Sequence, residues 1–557
     1  MGENDGVRLL KVTFRNGETK KFKEGTKLSE IVESYTKKNK SIVVAAKFNN
    51  DIRELGYNLK EDGKIDFIDL SKDDGLRIYQ RSLCFLLIKA VLSLFPERRV
   101  IISHSISKGL YCEILGRDNI TPSHVAKIKE KMKEYVQKDL PFVKREVSLE
   151  DAKVIFEKNS NINKYRALAG RDKTHVTIYN CDGTEDYFYG YMVISTRYLK
   201  KFDLKFYKQG VILLCPHKTE PNKIPRFIEQ RKLFSIFKEF KDWLKILEVN
   251  NVASLNQLVK EGYVGELIRI SEAFHEKKIA QIADMITNSK TKKSVILIAG
   301  PSSSGKTTFA NRLSIQLKVN GIKPVTVNLD DYFVNRDDTP KDEKGDYDFE
   351  SLEALDIPLF NDQLKRLIAG EEVEIPVFNF ESGTREKNGK KLKISENQII
   401  IIEGIHGINE KLTASIPKGK KFKIYVSALT SLNIDDHNRI PTTDTRILRR
   451  IVRDNQFRGC NALNTIKRWE SVRRGEEINI FPYQENADVM FNSSLVFELG
   501  VLRTFAEPLL NDIDPNDPYY PEVKRLIEFL RYFTNISMEQ IPSNSIIREF
   551  IGGSCFY

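Results

Sequence analysis

Several groups of residues in this 557-residue chain have the type and spacing to move a phosphoryl group. The first is Gly300-Pro301-Ser302-Ser303-Ser304-Gly305-Lys306-Thr307-Thr308, which fits G-x-x-x-x-G-K-[ST] without a mismatch. Glycines let the backbone bend tightly and aim successive N–H groups at phosphate oxygens, assisted by the positive end of the helix that follows. The run Gly300–Thr308 is therefore the expected ATP-binding loop, with Lys306 reaching the β- and γ-phosphates and the Thr307 hydroxyl offered to Mg²⁺. A chance glycine-rich turn is the bland alternative. Context argues against it, because an apolar, β-branched run, Val295 to Ile298, precedes the loop and TTFANRLSIQL follows at helical spacing.

Acids close two further strand-like runs. PVTVNL ends in Asp330-Asp331-Tyr332-Phe333, and QIIIIEG carries Glu403. In a parallel sheet the carboxyl end of a strand faces the ligand crevice, so an acid there is placed to accept the proton of an attacking hydroxyl. Asp330 is read as that base and as a substrate contact, with Asp331 as its substitute; the alternative is that either one caps the following turn. Glu403 is read as a Mg²⁺ site carboxylate, acting through water or on the metal's hydration shell, against a plain loop-stabilising role.

TRILRRIVRDNQFRG places Arg446, Arg449, Arg450 and Arg453 on adjacent turns of one expected helix, with Arg458 just beyond. Guanidinium groups on a lid would stabilise charge developing on a transferred phosphoryl group, and Arg453 and Arg458 are the favoured pair. A solvated basic face, partly neutralised by Asp444 and Asp454, is the competing reading.

These residues need a parallel α/β sheet to hold them, expected over 291–510 with a helical extension over 511–557. Three other segments complete the chain. Residues 1–72 contain VRLLKVTF and TKKFK around Asn16-Gly17, a hairpin dipeptide, then a short helix and two strand runs. Residues 73–249 read as α+β, opening with the apolar helix RSLCFLLIKAVLSLFP. Residues 250–290 read as a helical connector, in which His275 is taken for solvated surface.

Composition supports several folded domains: 41% hydrophobic and 30% charged residues suit packed cores, and no apolar run is long enough for a membrane span. The N-terminus MGENDGVRLL lacks the basic start and apolar stretch of a secretory signal, so a cytoplasmic location with no membrane partner is expected. The net charge of +12 is spread over a long chain and is weak support for nucleic acid. Six scattered cysteines lack metal-site or disulfide spacing and are read as buried, reduced thiols.

FKEGTKLSEI and VVAAKFNNDIREL resemble the TGS domain, a β-grasp fold at the start of threonyl-tRNA synthetases. The following segment is similar to the second domain of those synthetases, which edits mischarged tRNA. Here the family's HSxxH helix reads Arg81-Ser82-Leu83-Cys84-Phe85 and its C-x-G-x-H strand reads Phe188-Tyr189-Gly190-Tyr191-Met192. Arginine, phenylalanine and methionine cannot supply that ligand set, so the domain is expected to persist as a binding or structural unit, with RNA contact through the N-terminal half the partner it implies.

GPSSSGKTT, LDDYF, YDFESLEALD, the P-x-F-N-F-x-S stretch from Pro376, IIEGIHG, and RRIVRD with Arg458-Gly459 together resemble the uridine kinase and phosphoribulokinase family. The resemblance implies transfer of a nucleotide γ-phosphate to a primary hydroxyl, with Asp330 as base, Glu350 holding ribose hydroxyls, Phe378 stacking on a base or lying in the core, and Arg385 contacting substrate. The tyrosine and histidine with which uridine-cytidine kinases read their base are missing from Phe378-Asn379-Phe380-Glu381-Ser382-Gly383. The domain order and the ending PSNSIIREFIGGS further resemble a group of long bacterial uridine-kinase-like proteins. The leading expectation is an ATP- and Mg²⁺-dependent kinase of a nucleoside such as uridine or cytidine. Two alternatives stay open: a phosphoribulokinase-like kinase of another sugar or polyol, and an ATP-binding regulator associated with tRNA or the ribosome.

Overall fold

The chain is described by a computed structural model over residues 8–35, 41–158, 161–171, 173–341, 345, 347–379, 382–395 and 397–556. Phe380 and Glu381 lie outside the described residues.

Val295–Ala299 (β1) is apolar throughout and buried along its whole length, as a strand covered on both faces must be. It is the middle of a five-stranded parallel sheet that includes β2 (Lys323–Asn328), β3 (Gln398–Glu403), β4 (Lys421–Ser427) and β5 (Val489–Asn492), in the order β2-β3-β1-β4-β5. The phosphate loop joins β1 to α1 (Lys306–Val319). Register places Ile298 opposite Glu403 and Asn328 opposite Glu403 on the other side, so the loop and both strand-end acids lie at one edge of the sheet. One face packs Phe309, Leu313 and Phe491; the other packs Tyr332, Phe360 and Leu364.

Beyond β4 the chain forms α2 (Thr442–Phe457), α3 (Ala462–Asn479), α4 (Glu498–Asn511), α5 (Tyr520–Leu530) and the short α6 (Arg548–Ile551). The expected connector, Val252–Lys260 and Val264–Thr287, is a packed layer rather than a tether. Its second helix lies on α1, where Arg312 bonds Glu272 at 3.2 Å and Glu276 at 2.7 Å. His275 corrects the surface reading: it is buried against Phe491, and burial pushes its imidazole down to about 3.

The first segment is a five-stranded sheet with a short helix, Leu28–Tyr35. Leu9–Phe14 pairs antiparallel with Thr19–Lys23 and parallel with Gly63–Asp69, and Gly17 at φ 85° makes the turn between the first two. The next segment sets the helix Asp73–Leu94 against a four-stranded antiparallel sheet and adds a three-stranded one. Phe85 and Phe188 meet there with ring centres 5.2 Å apart, and both are buried with Met192. Three of the four positions compared with the synthetase motifs are thus filled by buried apolar side chains, and the fourth is Arg81. Residues 188–192, read as a strand, are irregular, and Arg81 donates to the Tyr191 carbonyl at 2.5 Å.

One apolar cluster runs from Phe156 and Ile178 through Leu255 and Leu267 to Ile451, Leu526 and Phe533, so the synthetase-like half and the kinase half share a core. Among the described residues no helix is long and apolar enough to cross a membrane. Four cysteines, Cys84, Cys112, Cys181 and Cys215, are buried with thiols pushed up by burial; Cys555 is exposed and Cys460 half-buried, which corrects the expectation for those two. Thiolate is the reactive form, so a thiol reagent is expected to modify Cys555 and then Cys460 in the native protein and all six only after unfolding, as mass spectrometry of the labelled protein will show.

Candidate phosphoryl-transfer site

The phosphate loop owes its shape to contacts on its outer side. Ser303 (φ 58°) and Gly305 (φ 82°) adopt left-handed backbone, which turns the amides inward. At Gly300 a Cβ would sit 1.9 Å from the Val426 carbonyl oxygen, so only glycine lets β1 and β4 close at that point. Arg446 Nε donates to the Ser302 carbonyl at 2.9 Å, while its Nη2 pairs with Glu476; Arg449 pairs with Glu498 at 2.6 Å and reaches the Ser493 carbonyl at 2.8 Å. Glu476 also accepts the Ser302 N–H at 3.0 Å. Both guanidinium groups are fully buried, which corrects the expectation that they face a polyphosphate: they brace the loop from behind.

Thr307 and Glu403, expected together on a metal, are brought together. The Thr307 hydroxyl donates to Glu403 Oε2 at 3.2 Å. Burial pushes the Glu403 carboxyl up to about 7, opposed by Lys306 and reinforced by the negative charges of Asp330 and Glu549. A hydroxyl and a carboxylate at the mouth of a phosphate loop are a hard-oxygen donor set of the kind Mg²⁺ takes, with the rest of its shell left to water and phosphate. The Ser303 and Ser304 hydroxyls, buried in the loop, have no hydrogen-bond partner among the described residues, so the loop fits an anionic group with many acceptor oxygens. Lys306 Nζ reaches the Pro301 carbonyl at 3.4 Å, and the Thr308 N–H and hydroxyl are directed to Glu549.

Asp330 and Asp331 share a single helical turn after β2 and separate there. The Asn328 side chain caps the turn by accepting the Asp330 N–H at 3.0 Å. Asp331 accepts the Phe378 N–H at 3.4 Å, turning it toward the hairpin Phe378–Asn379/Thr384–Arg385. The Asp330 carboxylate accepts no hydrogen bond among the described residues. Burial raises its pKa, and the cations acting against that are Lys306, Arg458 and Arg453 in descending order. Arg453 on α2 and Arg458 just past its end are thus among the cations that oppose the effect of burial on this acid. Asp454 holds them at its base, bonding Arg453 at 2.6 Å and standing 3.9 Å from Arg458.

Glu350 lies beside α3, where a Cβ on Gly475 would meet its Cβ at 2.2 Å. Its Oε2 is buried without a partner, and burial together with the Glu476 charge pushes its carboxyl up to about 7. Phe378 packs on Phe333 with ring centres 5.7 Å apart. Arg385 is committed elsewhere: it donates to the Phe333 carbonyl at 3.0 Å, the Tyr332 carbonyl at 3.1 Å and Asp356 at 3.1 Å, so its guanidinium holds the hairpin to the turn carrying Asp330.

Sequence reasoning missed Glu476, Glu498 and Glu549. Glu498 carried a signal, being a lone acid in the apolar stretch SSLVFELGVL, where a buried charge requires a partner. Glu476 and Glu549 carried none, because their neighbours come from distant segments.

A parallel sheet with a phosphate loop after its central strand, an acid ending the adjoining strand β3 and another just after β2, the next strand out, defines a P-loop phosphotransferase fold. Residues 295–497 match the Phosphoribulokinase / Uridine kinase family, and they form a P-loop kinase domain of that family. Among solved structures the chain is similar to a possible uridine kinase from Bacillus stearothermophilus, at 22% identity over 39% of this chain and 97% of that one, with a TM-score of 0.28. It is also similar to D-glycerate 3-kinase from Cryptococcus neoformans, at 12% identity over 51% of this chain and 88% of that one, with a TM-score of 0.19. The N-terminal region is similar to threonine–tRNA ligases: 28% identical over 197 residues to that of Desulforamulus reducens and 31% over 197 residues to threonine–tRNA ligase 1 of Bacillus subtilis. Each match covers 35% of this chain, and the chain spans about a third (31%) of the length of these ligases.

Removing one member of a buried ion pair strands the other, so Arg449→Ala is expected to lower unfolding free energy by about 3–5 kcal/mol, read as a shift of the urea midpoint. Glu403 attracts a cation only when ionised, which with a pKa of about 7 occurs as pH rises. Affinity for ADP at fixed free Mg²⁺ is therefore expected to rise by up to about tenfold from pH 6 to 8, and Glu403→Gln to flatten the profile in calorimetric titrations.

Proposed function

We propose that this chain transfers the γ-phosphate of ATP to a hydroxyl of a small molecule, with the 5'-hydroxyl of a nucleoside such as uridine or cytidine as the leading acceptor. The observation that carries the reading is Asp330: a carboxylate that accepts no hydrogen bond among the described residues, beside the phosphate loop, in the combined field of Lys306, Arg458 and Arg453. Bound ATP with Mg²⁺ supplies an electrophilic phosphorus and a leaving group; the chain's own residues do the rest. Thr307 and Glu403 are the residues that would hold the metal. Lys306 and the amides of Ser303–Thr308 hold the phosphates and oppose their charge. Asp330 accepts the proton of the attacking hydroxyl, and the cations around it oppose the rise that burial imposes on its pKa. Glu350 offers its unpaired oxygen to a second hydroxyl of the acceptor. Arg453 and Arg458 face the charge that develops during transfer, anchored through Asp454.

A second reading rests on the hairpin. Phe378 is packed on Phe333 and Arg385 is tied to backbone, so neither offers a polar group to the edge of a base. A sugar or polyol recognised through its hydroxyls by Glu350 and Asp330 suits such a wall, because a site without partners for a polar edge cannot select for it.

An ATP-consumption screen over nucleosides, sugar phosphates and polyols decides between the acceptors. Run beside it, Lys306→Ala is expected to abolish transfer. Asp330→Asn is expected to lower kcat by about 10²–10⁴-fold with little change in ATP affinity; full turnover by that variant would remove Asp330 from its role. No turnover with any acceptor, combined with salt-sensitive tRNA binding by the full chain, would favour a regulator that uses RNA contacts in the N-terminal half.

A further inference from the structure

The residue after the metal-binding threonine already holds an anion, and it comes from the far end of the chain. Glu549 Oε2 accepts both the Thr308 N–H at 3.0 Å and the Thr308 hydroxyl at 2.9 Å. Thr308 is the third residue of α1, so its N–H is one of the unpaired donors that make a helix N-terminus after a phosphate loop a site for phosphate oxygens. One amide and one hydroxyl cannot serve a carboxylate and a phosphate together. The neighbouring side chains seal the same place. Ile546 Cγ2 stands 2.5 Å from where a Cβ on Gly305 would be, Phe550 joins the core beside Phe309, and Arg449 lies over the Phe550 ring at 4.9 Å. Ser303, Ser304 and Thr308 are at most 3% exposed.

We propose that the carboxyl-terminal segment Ser545–Ile551 is a gate on the phosphate site, in which Glu549 stands in for a nucleotide phosphate at Thr308 and must leave before a nucleotide can seat fully. The proposal rests on the nucleotide-binding reading of the loop and adds its regulation. The segment is built to be held without being part of the sheet. Ser545 donates to Glu272 at 2.5 Å, and Arg548 donates to the Met538 and Ile541 carbonyls at 2.8 and 2.6 Å. When only a fraction of molecules is open, apparent affinity falls by that fraction, so a gate that is shut in nine molecules of ten weakens binding about tenfold.

The test uses the full chain, ADP as probe, calorimetry for affinity and hydrogen exchange for the segment. In the wild type, ADP is expected to release protection of the amides from 545 to 551. Glu549→Ala, which keeps Ile546 and Phe550, is expected to bind ADP about tenfold more tightly, with those amides already less protected. Tighter binding by Glu549→Ala without any ADP-induced loss of protection in the wild type would be through-space repulsion alone and would overturn the gate. Unchanged or weaker binding would overturn it as well, making the segment a wall of the site, while leaving the nucleotide-binding reading intact. Failure of both proteins to bind ADP at millimolar concentration would overturn the gate and that reading together.

Discussion

The pair of buried ion pairs behind the phosphate loop is the constraint from which the site follows. Arg446 with Glu476 and Arg449 with Glu498 lie in the interior, where an uncompensated charge costs several kcal/mol. Such pairs add little net stability over well-packed apolar side chains, but they are intolerant of displacement. Their guanidinium groups reach the Ser302 carbonyl and, through Ser493, the Ser304 carbonyl, to which the Ser493 hydroxyl donates at 2.5 Å. Carbonyls bound from behind leave the amides of the same peptides facing forward. A loop that must present its N–H groups to a ligand without reorganising is stiffened in this way from the side the ligand never touches.

On the ligand side the electrostatics are opposite in kind. Asp330, Glu350 and Glu403 are carboxyls raised by burial, and each acts on another as a like charge or shares Lys306 as its opposing cation. Acids crowded in this manner are reluctant to ionise together, so a cation entering among them is strongly favoured. Behind the loop, charges are paired to completion; in front of it, they are left incomplete. That asymmetry separates scaffold from site within a few residues of one helix, since α2 supplies Arg446 and Arg449 to the first and Arg453 to the second.

The parallel sheet, the loop and the strand-end acids were legible because each is written in consecutive residues: an apolar strand, a glycine-bounded loop and an acid at the strand's end or in the turn just after it. The hairpin around Asn16-Gly17 was legible for the same reason. The arginines of α2 were placed on the right helix, but which of them point inward depends on Glu476 and Glu498, some 30 to 50 residues away in sequence. His275 was misjudged because the charges on its helix pair with α1 instead of facing solvent: Arg312 on α1 takes Glu272 and Glu276. Arg385 followed a family pattern whose partners, two backbone carbonyls and Asp356, exist only once the hairpin folds onto the turn after β2. Long-range polar contacts are what a linear reading lacks.

The junction between the two halves shows why the synthetase-like part need not be an idle appendage. The loop after β4 is docked on it: Arg99 holds Asp436 at 2.5 and 2.7 Å, Ile102 N–H donates to the Asp436 carbonyl at 2.8 Å, and buried Lys164 pairs with Asp186 and stands 3.8 Å from Asp435. That loop leads directly into α2. On α2, Asp444 accepts two bonds from Arg525 of α5, at 2.7 and 2.9 Å, and α5 is bound in turn by Arg77 through Glu522 at 2.8 Å and by Asp51 through Lys524 at 3.0 Å. The arginine helix is therefore fastened at its start to elements of both N-terminal segments. A displacement there cannot be absorbed by solvent, because the contacts are buried or charged and the core beneath them is continuous. Coupling through such a junction requires two discrete arrangements of α2 and not merely proximity.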